Sequence, residues 1–564
     1  MIRSIFEKSA ILFLLTFSFT LLKATDQPFA LKADLFDQSQ TDDLGLSKAE
    51  GTETITVFYA EETTDKFCNG VVMIGFKDSI YCQWQSSANN EDALDTWVAY
   101  SASKDGKTWT KPRVLAPTLA NGYCSSGGWW INGDTLVAYI NTWPNLEPRG
   151  GYTRYIASTD GVNWTDPKAV TMLNGDTLKG IFEQDPRAIT GGRIINSAHF
   201  QPGLIANPIY TDDSSGVRGW VRPDFTNTSI SGDISQEIEP SCYQRSDGAI
   251  VMIFRDQNSS FLKLASVSYD SAETWSPVVV TDMLDARTKQ SAGNIADSAV
   301  YMVGNPNDDK LRTPLAITLS SDGIFFNTAY VLLEDSDSLP ADPRYSGTAK
   351  RKGFHYPKTM IWHDTLYASF AYYKEDVMFT RVPLKSLMLD TTKPRIVLDD
   401  AVAEFGASSE IKSFNVTSTV VWSLAENSSW ILTNKLNNNT MQISCAENTT
   451  TDQRQDTVYV TAPFTDTAFI VVKQDGATIS IDNTLDNNDT FKILNGADNS
   501  LIIQNDALIE TAVVSIYNLN GQKVYEGKMN GNELFIDLSN KASGSYVLRI
   551  CSDNENFSRL IFLR

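Results

Sequence analysis

Ser103-Lys-Asp105-Gly106-Lys-Thr108-Trp109 is the first copy of a short pattern that returns several times along the chain. Further copies begin at Ser158, at Ser268 and, with a weaker match, at Ser320. The first serines are 55, 110 and 52 residues apart, so the middle gap is twice the first one. A degenerate copy at residues 212–220 falls where the missing copy should be. The chain therefore contains a repeated unit of about 55 residues.

The chemistry of this pattern explains why it recurs. Asp and Gly form a tight hairpin turn, in which the Asp carboxylate accepts backbone N–H groups and Gly tolerates a positive φ. Strand-like runs such as residues 96–101 and 261–267 precede the copies. Strands with turns at this spacing are typical of four-stranded propeller blades, whereas a parallel β-helix, the competing repeat fold, has a shorter period. We therefore predict an all-β, six-bladed β-propeller over residues 45–390, in which the turns are structural and not catalytic.

Composition and charge limit the classes of function. A chain of 564 residues suggests several domains, and 42% hydrophobic with 11% aromatic residues provide ample material for a core. The 68 acidic residues exceed the 47 basic ones, so the formal net charge is −21. Such a surface repels phosphate backbones, and nucleic acid is therefore not an expected partner.

The N-terminus has the pattern of a secretory signal. Arg3 and Lys8 precede an apolar run at residues 10–22, and the small residue Ala24 follows it. The pattern predicts a signal peptide at residues 1–24 and export of the chain. The apolar run is too short for a membrane anchor, which needs about 20 residues.

The cysteines and histidines indicate no metal site. The six cysteines are scattered and form no CxxC pair, and the three histidines include no HExxH motif. We predict neither a metal nor another cofactor. An exported chain can still form one or two disulfides, for which Cys68, Cys82 and Cys124 are the first candidates.

The repeated turns resemble the Asp-boxes of the sialidase (neuraminidase) superfamily. Residues 237–255 also resemble that superfamily's sequence of a Glu, a D-G turn and a strand ending in Arg. The resemblance implies that Glu239 is a base and that Arg255 is one arm of a carboxylate-binding arginine cluster. Residues 304–312 resemble the segment that supplies a second arm, which is Arg312 here. Arginine suits this role because its planar fork binds a carboxylate through two hydrogen bonds.

The same resemblance implies a nucleophile and an acid. Tyr356 precedes the strand-like residues 366–379 and matches the family's nucleophilic tyrosine, with Tyr345 as the rival candidate. A phenol has an ordinary pKa of about 10 and needs an adjacent carboxylate to take its proton. Asp92 lies in the loop before the first repeated turn and matches the acid/base residue. Its neighbours Glu91 and Asp95 remain alternatives.

One element of the family pattern is absent. Sialidases carry an R-I-P sequence in the first blade, and the comparable residues 67–84 contain no arginine. Loss of one charge-assisted hydrogen bond weakens carboxylate binding by roughly 1.5–3 kcal/mol. Arg187 could replace the missing arginine from another blade. Alternatively, His199, His355 and Tyr356 form, with an arginine, a set suited to β-elimination from a uronic acid.

Two further modules are predicted after the propeller. Residues 395–476 are rich in Asn, Ser and Thr and resemble a BACON domain, which is a small β-sandwich. Residues 490–564 contain an Asn520-Gly521 hairpin and an apolar–basic end, and they resemble the C-terminal sorting domain of the type IX secretion system. This resemblance implies passage across the outer membrane of a Bacteroidetes-type bacterium, followed by release or surface attachment.

The combined prediction is a secreted or surface-bound, exo-acting glycoside hydrolase of exo-α-sialidase type. We expect it to be a monomer that cleaves terminal sugars from sialylated or other anionic glycans without a cofactor. The type IX secretion machinery is its expected protein partner. Two alternatives stay open: a polysaccharide lyase or rhamnosidase-like propeller acting on uronic-acid glycans, and a propeller that binds glycans without catalysis.

Overall fold

The structure, a computed structural model, describes residues 27–144, 150–296, 298–336, 339–477, 491–495, 499–505, 511–552 and 556–563. The predicted signal peptide at residues 1–24 lies outside these ranges. The described chain is built of β-strands with one short 3-10 helix, Leu384–Ser386. Within these ranges, no helix is long and apolar enough to cross a membrane. The predicted all-β fold class is confirmed.

Six sheets form the blades of the propeller, and each is described from its innermost strand outward. Blade 1 contains the strands Phe67–Phe76, Ser79–Ser87, Trp97–Ser103 and Arg113–Ala116. Blade 2 contains Tyr123–Asn132, Thr135–Trp143, Tyr152–Ser158 and Lys168–Ala169. Blade 3 contains Gly180–Phe182 and Arg187–Ala188, which both pair with Ile194–Phe200, and then Ile205–Thr211. A small ribbon of Ser229–Ser231 and Ile234–Ser235 leads to the next blade.

The second half of the ring repeats this antiparallel arrangement. Blade 4 contains the strands Glu237–Gln244, Ile250–Asp256, Leu262–Ser268 and Val279–Leu284. Blade 5 contains Ser291–Asn294, Val300–Gly304, Leu315–Ser320 and Phe325–Leu333, and Ala30–Leu31 adds a parallel fifth strand. Blade 6 contains Phe354–Trp362, Thr365–Tyr372, Asp376–Pro383 and, outermost, Glu53–Phe58. Because Glu53–Phe58 comes from before blade 1, it closes the ring by strand pairing.

The propeller core consists of six apolar clusters, and each one lies between two neighbouring blades. Trp84 of blade 1, for example, shares a cluster with Phe379 of blade 6, and Tyr301 of blade 5 shares one with Phe354 of blade 6. Burial of these side chains between blades stabilises the ring. It also fixes the first strand of every blade around a common axis.

The repeated turns form the same hydrogen bonds in each well-matched copy. In the first copy, Asp105 Oδ1 accepts the N–H groups of Lys107 at 2.8 Å and Thr108 at 2.7 Å, and it also accepts the Ser103 hydroxyl. These bonds hold the pKa of Asp105 below its ordinary value. Ser103 pairs with Ile80, at the end of blade 1 opposite to the Asn69–Gln85 pair. The turns therefore lie at the far end of the blades from the cleft described below.

The structure forms none of the disulfides that were left open for an exported chain. All six are unpaired, and five of them are buried. Cys68 lies in the cluster between blades 6 and 1, whereas Cys124 lies in the cluster between blades 1 and 2. The register of the first two strands of blade 1 keeps Cys68 and Cys82 apart, because Cys68 pairs with Ser86 and Cys82 pairs with Met73.

A β-sandwich follows the propeller. One sheet contains the strands Ile396–Leu398, Glu410–Ser418, Thr440–Cys445 and Ile431–Asn437. The other contains Val402–Phe405, Ala468–Gln474, Arg454–Thr461 and Ser423–Ala425. Their shared core includes Trp422 and also Ala30 and Phe325 of blade 5, so the sandwich packs on the propeller. Membership of the BACON family stays a prediction.

The C-terminal residues 477–564 form a second compact unit. Its three-stranded sheet contains Phe491–Asn495, Ser500–Asn505 and Glu533–Asp537. Its four-stranded sheet contains Lys523–Met529, Ala512–Asn518, Gly544–Ser552 and Asn556–Leu563. Apolar side chains of both sheets, such as Ile503 and Leu548, form one core.

Candidate active site

Three first strands leave their regular pairing at the same level of the propeller. Two residues are unpaired between Asn69 and Val72, between Ile238 and Ser241, and between His355 and Lys358. The first unpaired residue has a positive φ each time: 60° at Gly70, 51° at Glu239 and 53° at Tyr356. Bulges of this kind re-aim a side chain. Blades 4 and 6 therefore present Glu239 and Tyr356, while blade 1 presents no side chain at Gly70.

The positive φ has a different meaning at the three positions. Glycine adopts this conformation freely, whereas a residue with a side chain is strained there by about 1–3 kcal/mol. Glu239 and Tyr356 keep the conformation inside buried strands. Strain of this kind persists only where the surroundings impose it, and it is typical of functional sites.

The bulges border a cleft of about 250 Å³ at the starts of the first strands. This volume is slightly below the usual range of small-molecule pockets, so it suits one sugar ring rather than a longer oligosaccharide. Ionisable side chains from all six blades or from the loops beside them line it, namely Glu91, Asp92, Tyr123, Glu183, His199, Glu239, Lys289, Tyr356 and Lys358. The structure thus brings Asp92, Glu239 and Tyr356 into one cavity.

Glu239 is held as a carboxylate. Its Oε2 accepts Nη1 of Arg255 at 2.8 Å, and its backbone N–H donates to Nε2 of His199 at 3.0 Å. Burial acts to raise the pKa of Glu239, but the charges of Arg255 and Lys289 outweigh it and hold the pKa well below the ordinary value. Glu239 is therefore ionised at neutral pH.

Tyr356 lies among cations. The centroid of its ring is 4.5 Å from the guanidinium of Arg312, 5.2 Å from Nζ of Lys374 and 5.4 Å from Nζ of Lys289. Nη2 of Arg312 also donates to the phenol oxygen at 3.4 Å. Burial acts to raise the pKa of Tyr356, but the net shift is downward because Arg312 and Lys374 favour the phenolate. Glu239 acts in the opposite direction on the same phenol.

His355 positions Arg312. Its Nδ1 is 2.6 Å from Nη1 of Arg312, and its Nε2 is 2.9 Å from the carbonyl of Arg351. Arginine can only donate and a carbonyl can only accept, so Nε2 carries the proton. Burial, followed by the charge of Arg312, lowers the pKa of His355 well below its ordinary value. A neutral histidine with both nitrogens bonded holds an arginine in place, and it is poorly suited to shuttle a proton.

Asp92 has the properties of an acid. Its Oδ1 accepts the amide of Gln85 at 3.0 Å, and its backbone φ is 54°. Burial, and after it the charge of Glu91, raises the pKa of Asp92. Glu91 also lines the cleft, but it is bonded to Lys374 at 2.6 Å. Asp95 accepts the N–H of Ala88 at 3.0 Å and lies outside the cleft lining.

Comparison with known proteins gives the family. The model of the BNR repeat-like domain matches residues 78–368, which is more than half of the chain. The chain belongs to the BNR repeat-like family. Residues 495–563 match the secretion system C-terminal sorting domain, so this BNR repeat-like protein is secreted or placed on the cell surface, as predicted for a Bacteroidetes-type bacterium. No curated protein matches the sequence.

Several solved structures are similar to this BNR repeat-like protein. A Dyadobacter fermentans protein of unknown function has 16% identity, covers 59% of this chain and 99% of its own, and gives a TM-score of 0.45. The NanB sialidase of Streptococcus pneumoniae has 13% identity, with 59% and 71% covered and a TM-score of 0.47. An α-L-arabinanase of Penicillium chrysogenum has 13% identity, with 59% and 99% covered and a TM-score of 0.39.

Arg255 and Arg312 are outside the cleft lining but are bonded to Glu239 and Tyr356, whereas two other residues singled out in the sequence lie elsewhere. Arg187 is not part of the cleft lining, because its guanidinium points to Ser291 and Thr359 on the first strands of blades 5 and 6. Tyr345 also lies outside the lining, with Nζ of Lys350 5.7 Å from its ring. Tyr356 is therefore the tyrosine of the cleft.

The sequence analysis missed the lysines of the cleft and the role of Glu183. Nζ of Lys289 donates to the carboxylate of Glu183, whose other oxygen is 3.5 Å from Nδ1 of His199. Lys374 lies in the turn after the second strand of blade 6, with its Nζ 5.2 Å from the centroid of the Tyr356 ring. Trp143 lines the cleft and stacks on Tyr123, with 5.6 Å between ring centroids. Within the described residues, no group of His, Cys, Asp or Glu could hold a metal ion.

Proposed function

We propose that this protein is a secreted, exo-acting glycosidase of the sialidase type, with Tyr356 as nucleophile, Glu239 as its base and Asp92 as acid/base. The observation that carries the proposal is that these three side chains line one cleft of about 250 Å³. Their electrostatics suit the three roles, since the pKa of Tyr356 is lowered, Glu239 is ionised and the pKa of Asp92 is raised.

The first chemical step forms a glycosyl-enzyme. Glu239 takes the phenol proton, and the phenolate oxygen of Tyr356 forms a bond to the anomeric carbon. As the bond to the leaving group breaks, Asp92 gives its proton to the glycosidic oxygen. Glycosidases with a tyrosine nucleophile are known exceptions to the scheme of two carboxylates, and the covalent step follows the same logic.

The second step returns the enzyme to its starting state. Asp92, now a carboxylate, takes a proton from water, and the water oxygen forms a bond to the anomeric carbon. The bond to Tyr356 breaks, and the phenolate recovers its proton from Glu239. The cations around the ring stabilise the phenolate both as attacking and as leaving group.

The substrate is a terminal sugar that carries a carboxylate. Arg255 and Arg312, which touch Glu239 and Tyr356, provide guanidinium groups beside the reacting atoms. Guanidinium groups bind carboxylates strongly. They also offset the repulsion between the substrate carboxylate and the phenolate of Tyr356. The small cleft favours removal of single end sugars over cleavage within a chain.

The lyase alternative has less support from the geometry. It needs a histidine or tyrosine that is free to move a proton: Tyr356 meets this need as well, but both nitrogens of His355 are bonded. His199 accepts a backbone N–H through Nε2 and faces Glu183 through Nδ1. The test below nevertheless includes this chemistry as a separate arm.

The test is release of sialic acid from sialyl-lactose by the purified full chain and by Tyr356→Phe, with a uronic-acid polysaccharide panel assayed in parallel for unsaturated product. We expect release by the wild type and a loss of more than about 1000-fold in Tyr356→Phe, as is usual for removal of a nucleophile. Tyr345→Phe is the matched control, since this tyrosine lies outside the cleft lining.

The other outcomes assign other functions. Unsaturated product without sialic acid would establish a lyase. Glycan binding that is equal in wild type and Tyr356→Phe, with no turnover by either, would establish a binding propeller. Release that survives in Tyr356→Phe would remove Tyr356 from the mechanism.

A further inference from the structure

Lys358 is a buried cation that lines the cleft and forms no ion pair with any described carboxylate. It lies on the first strand of blade 6, two residues beyond Tyr356, and its residue is only 2% exposed. It nevertheless lines the cleft. Among the described side chains, no carboxylate oxygen lies within 4.0 Å of its Nζ, although lysines as deeply buried as this one are normally paired.

The other charges of the cleft are matched. Glu91 pairs with Lys374, Glu183 pairs with Lys289 and Glu239 pairs with Arg255. Among the described residues, this leaves Lys358, which lines the cleft, and Arg312, which lies outside the lining beside Tyr356, without a carboxylate within 4.0 Å. Of the two, Arg312 is bonded to His355 and Tyr356, so Lys358 is the less satisfied.

Charged neighbours do not remove this imbalance. Asp185 and Glu183 attract the ammonium of Lys358, and Lys289 repels it. Asp185 accepts the N–H of Trp129 at 2.6 Å through Oδ1, and neither of its oxygens lies within 4.0 Å of the ammonium of Lys358. Burial, with Lys289 next, lowers the pKa of Lys358 to about 8, so the group is still largely protonated at pH 7.

We propose that Lys358 is a substrate-binding residue whose ammonium pairs with the carboxylate of a sugar acid held in the cleft. The inference rests on the proposed function and deepens it, because it names the residue that reads the acidic group. A bound carboxylate provides the counter-ion that the protein lacks at this point. Lys358 also provides a cation from blade 6, whereas blade 1 has Gly70 at its bulge and presents no side chain there.

The experiment measures binding of free N-acetylneuraminic acid, glucuronic acid and neutral glucose to the full-length protein by calorimetry. The variants are Lys358→Met, which keeps the length of the side chain, and Lys358→Arg, which keeps the charge. Lys352→Met is the control, since this lysine is outside the cleft lining and pairs with Asp335. Melting temperatures identify any variant that does not fold.

We expect the wild type to prefer one of the acids over glucose by about tenfold or more, and Lys358→Met to lose about tenfold in affinity for that acid. Its affinity for glucose should stay within about twofold, and Lys358→Arg should retain most of the preference. An unchanged acid preference in Lys358→Met would overturn the inference while leaving the proposed function intact. Absence of any acid binding by the wild type would overturn both.

A pH series covers the case that Lys358→Met does not fold. Affinity of the wild type for the acid should fall as pH rises through about 8, because Lys358 then loses its proton. The guanidinium of Lys358→Arg keeps its charge over this range, so the fall should be absent. The same pH dependence in both proteins would show that another group is responsible.

Discussion

Glu239→Gln tests the proposed base directly, because it removes the charge and keeps the shape. A positioned base contributes typically about 100- to 10,000-fold, so kcat/KM on a fluorogenic aryl sialoside should fall by roughly that factor. The ion pair of 2.8 Å with Arg255 becomes a hydrogen bond to a neutral amide, while Arg255 keeps its 3.0 Å contact with Gln257. We expect a loss of about 1.5–3 kcal/mol in the free energy of unfolding.

The same variant should change the titration of Tyr356 in a defined direction. The charge of Glu239 raises the pKa of Tyr356 in the wild type, whereas Arg312 and Lys374 lower it. Without that charge the cations act unopposed, so the pKa of Tyr356 should fall further. The measurement is the difference in tyrosinate absorbance between Glu239→Gln and Glu239→Gln/Tyr356→Phe, which isolates one tyrosine among 21.

Glu237→Gln is the matched control for Glu239→Gln. It makes the same substitution two residues earlier on the same strand, at a carboxylate that is 1% exposed and accepts the N–H of Thr228 at 3.1 Å. Glu237 does not line the cleft, so the control should lose stability but keep kcat/KM. The reasoning is refuted if Glu239→Gln stays within tenfold of the wild-type kcat/KM, or if the titration of Tyr356 does not move.

Two further predictions concern the acid and the cysteines. The pKa of Asp92 is raised and the acid must be protonated, so kcat/KM should fall as pH rises through that pKa. Asp92→Asn should remove this decrease at high pH and lower the rate on sialyl-lactose by roughly 100-fold or more. Asp95→Asn, the control, should do neither. Because all six cysteines are unpaired, a thiol reductant should leave the melting temperature unchanged, and a clear decrease would reveal a disulfide.

The repeat made most of the propeller predictable. In the turns that begin at Ser103, Ser158, Ser268 and Ser320, the serine hydroxyl donates a hydrogen bond to the aspartate two residues later. Such local hydrogen bonds can be predicted from a short stretch of sequence. Closure of the ring could not be read in this way. Glu53–Phe58 pairs with Asp376–Pro383 across more than 300 residues, and no local pattern encodes such a partner.

The family motif predicted three residues that line the cleft but not their charge environment. Glu239, Tyr356 and Asp92 were found because each lies at a set place relative to a turn or strand. Lys289, Lys358 and Lys374 had no such signal, since a lysine in a sequence usually indicates a solvent-exposed charge. Their burial in the cleft, or beside Tyr356 in the case of Lys374, depends on the packing of the blades, which only the assembled ring determines.

The three bulges help to explain why charged side chains are distributed unevenly around the cleft. The bulge residue is glycine in blade 1 but Glu239 in blade 4 and Tyr356 in blade 6, so blade 1 lines the cleft with the amide side chains of Asn69 and Gln85 instead. Blades 5 and 6 contribute the cations around the phenol of Tyr356, whereas Asp92 is bonded to Gln85 of blade 1. A sugar acid must then direct its carboxylate toward blades 5 and 6 and its leaving group toward Asp92. This orientation is the one that in-line attack by Tyr356 and protonation by Asp92 require, because nucleophile and acid act on opposite sides of the breaking bond.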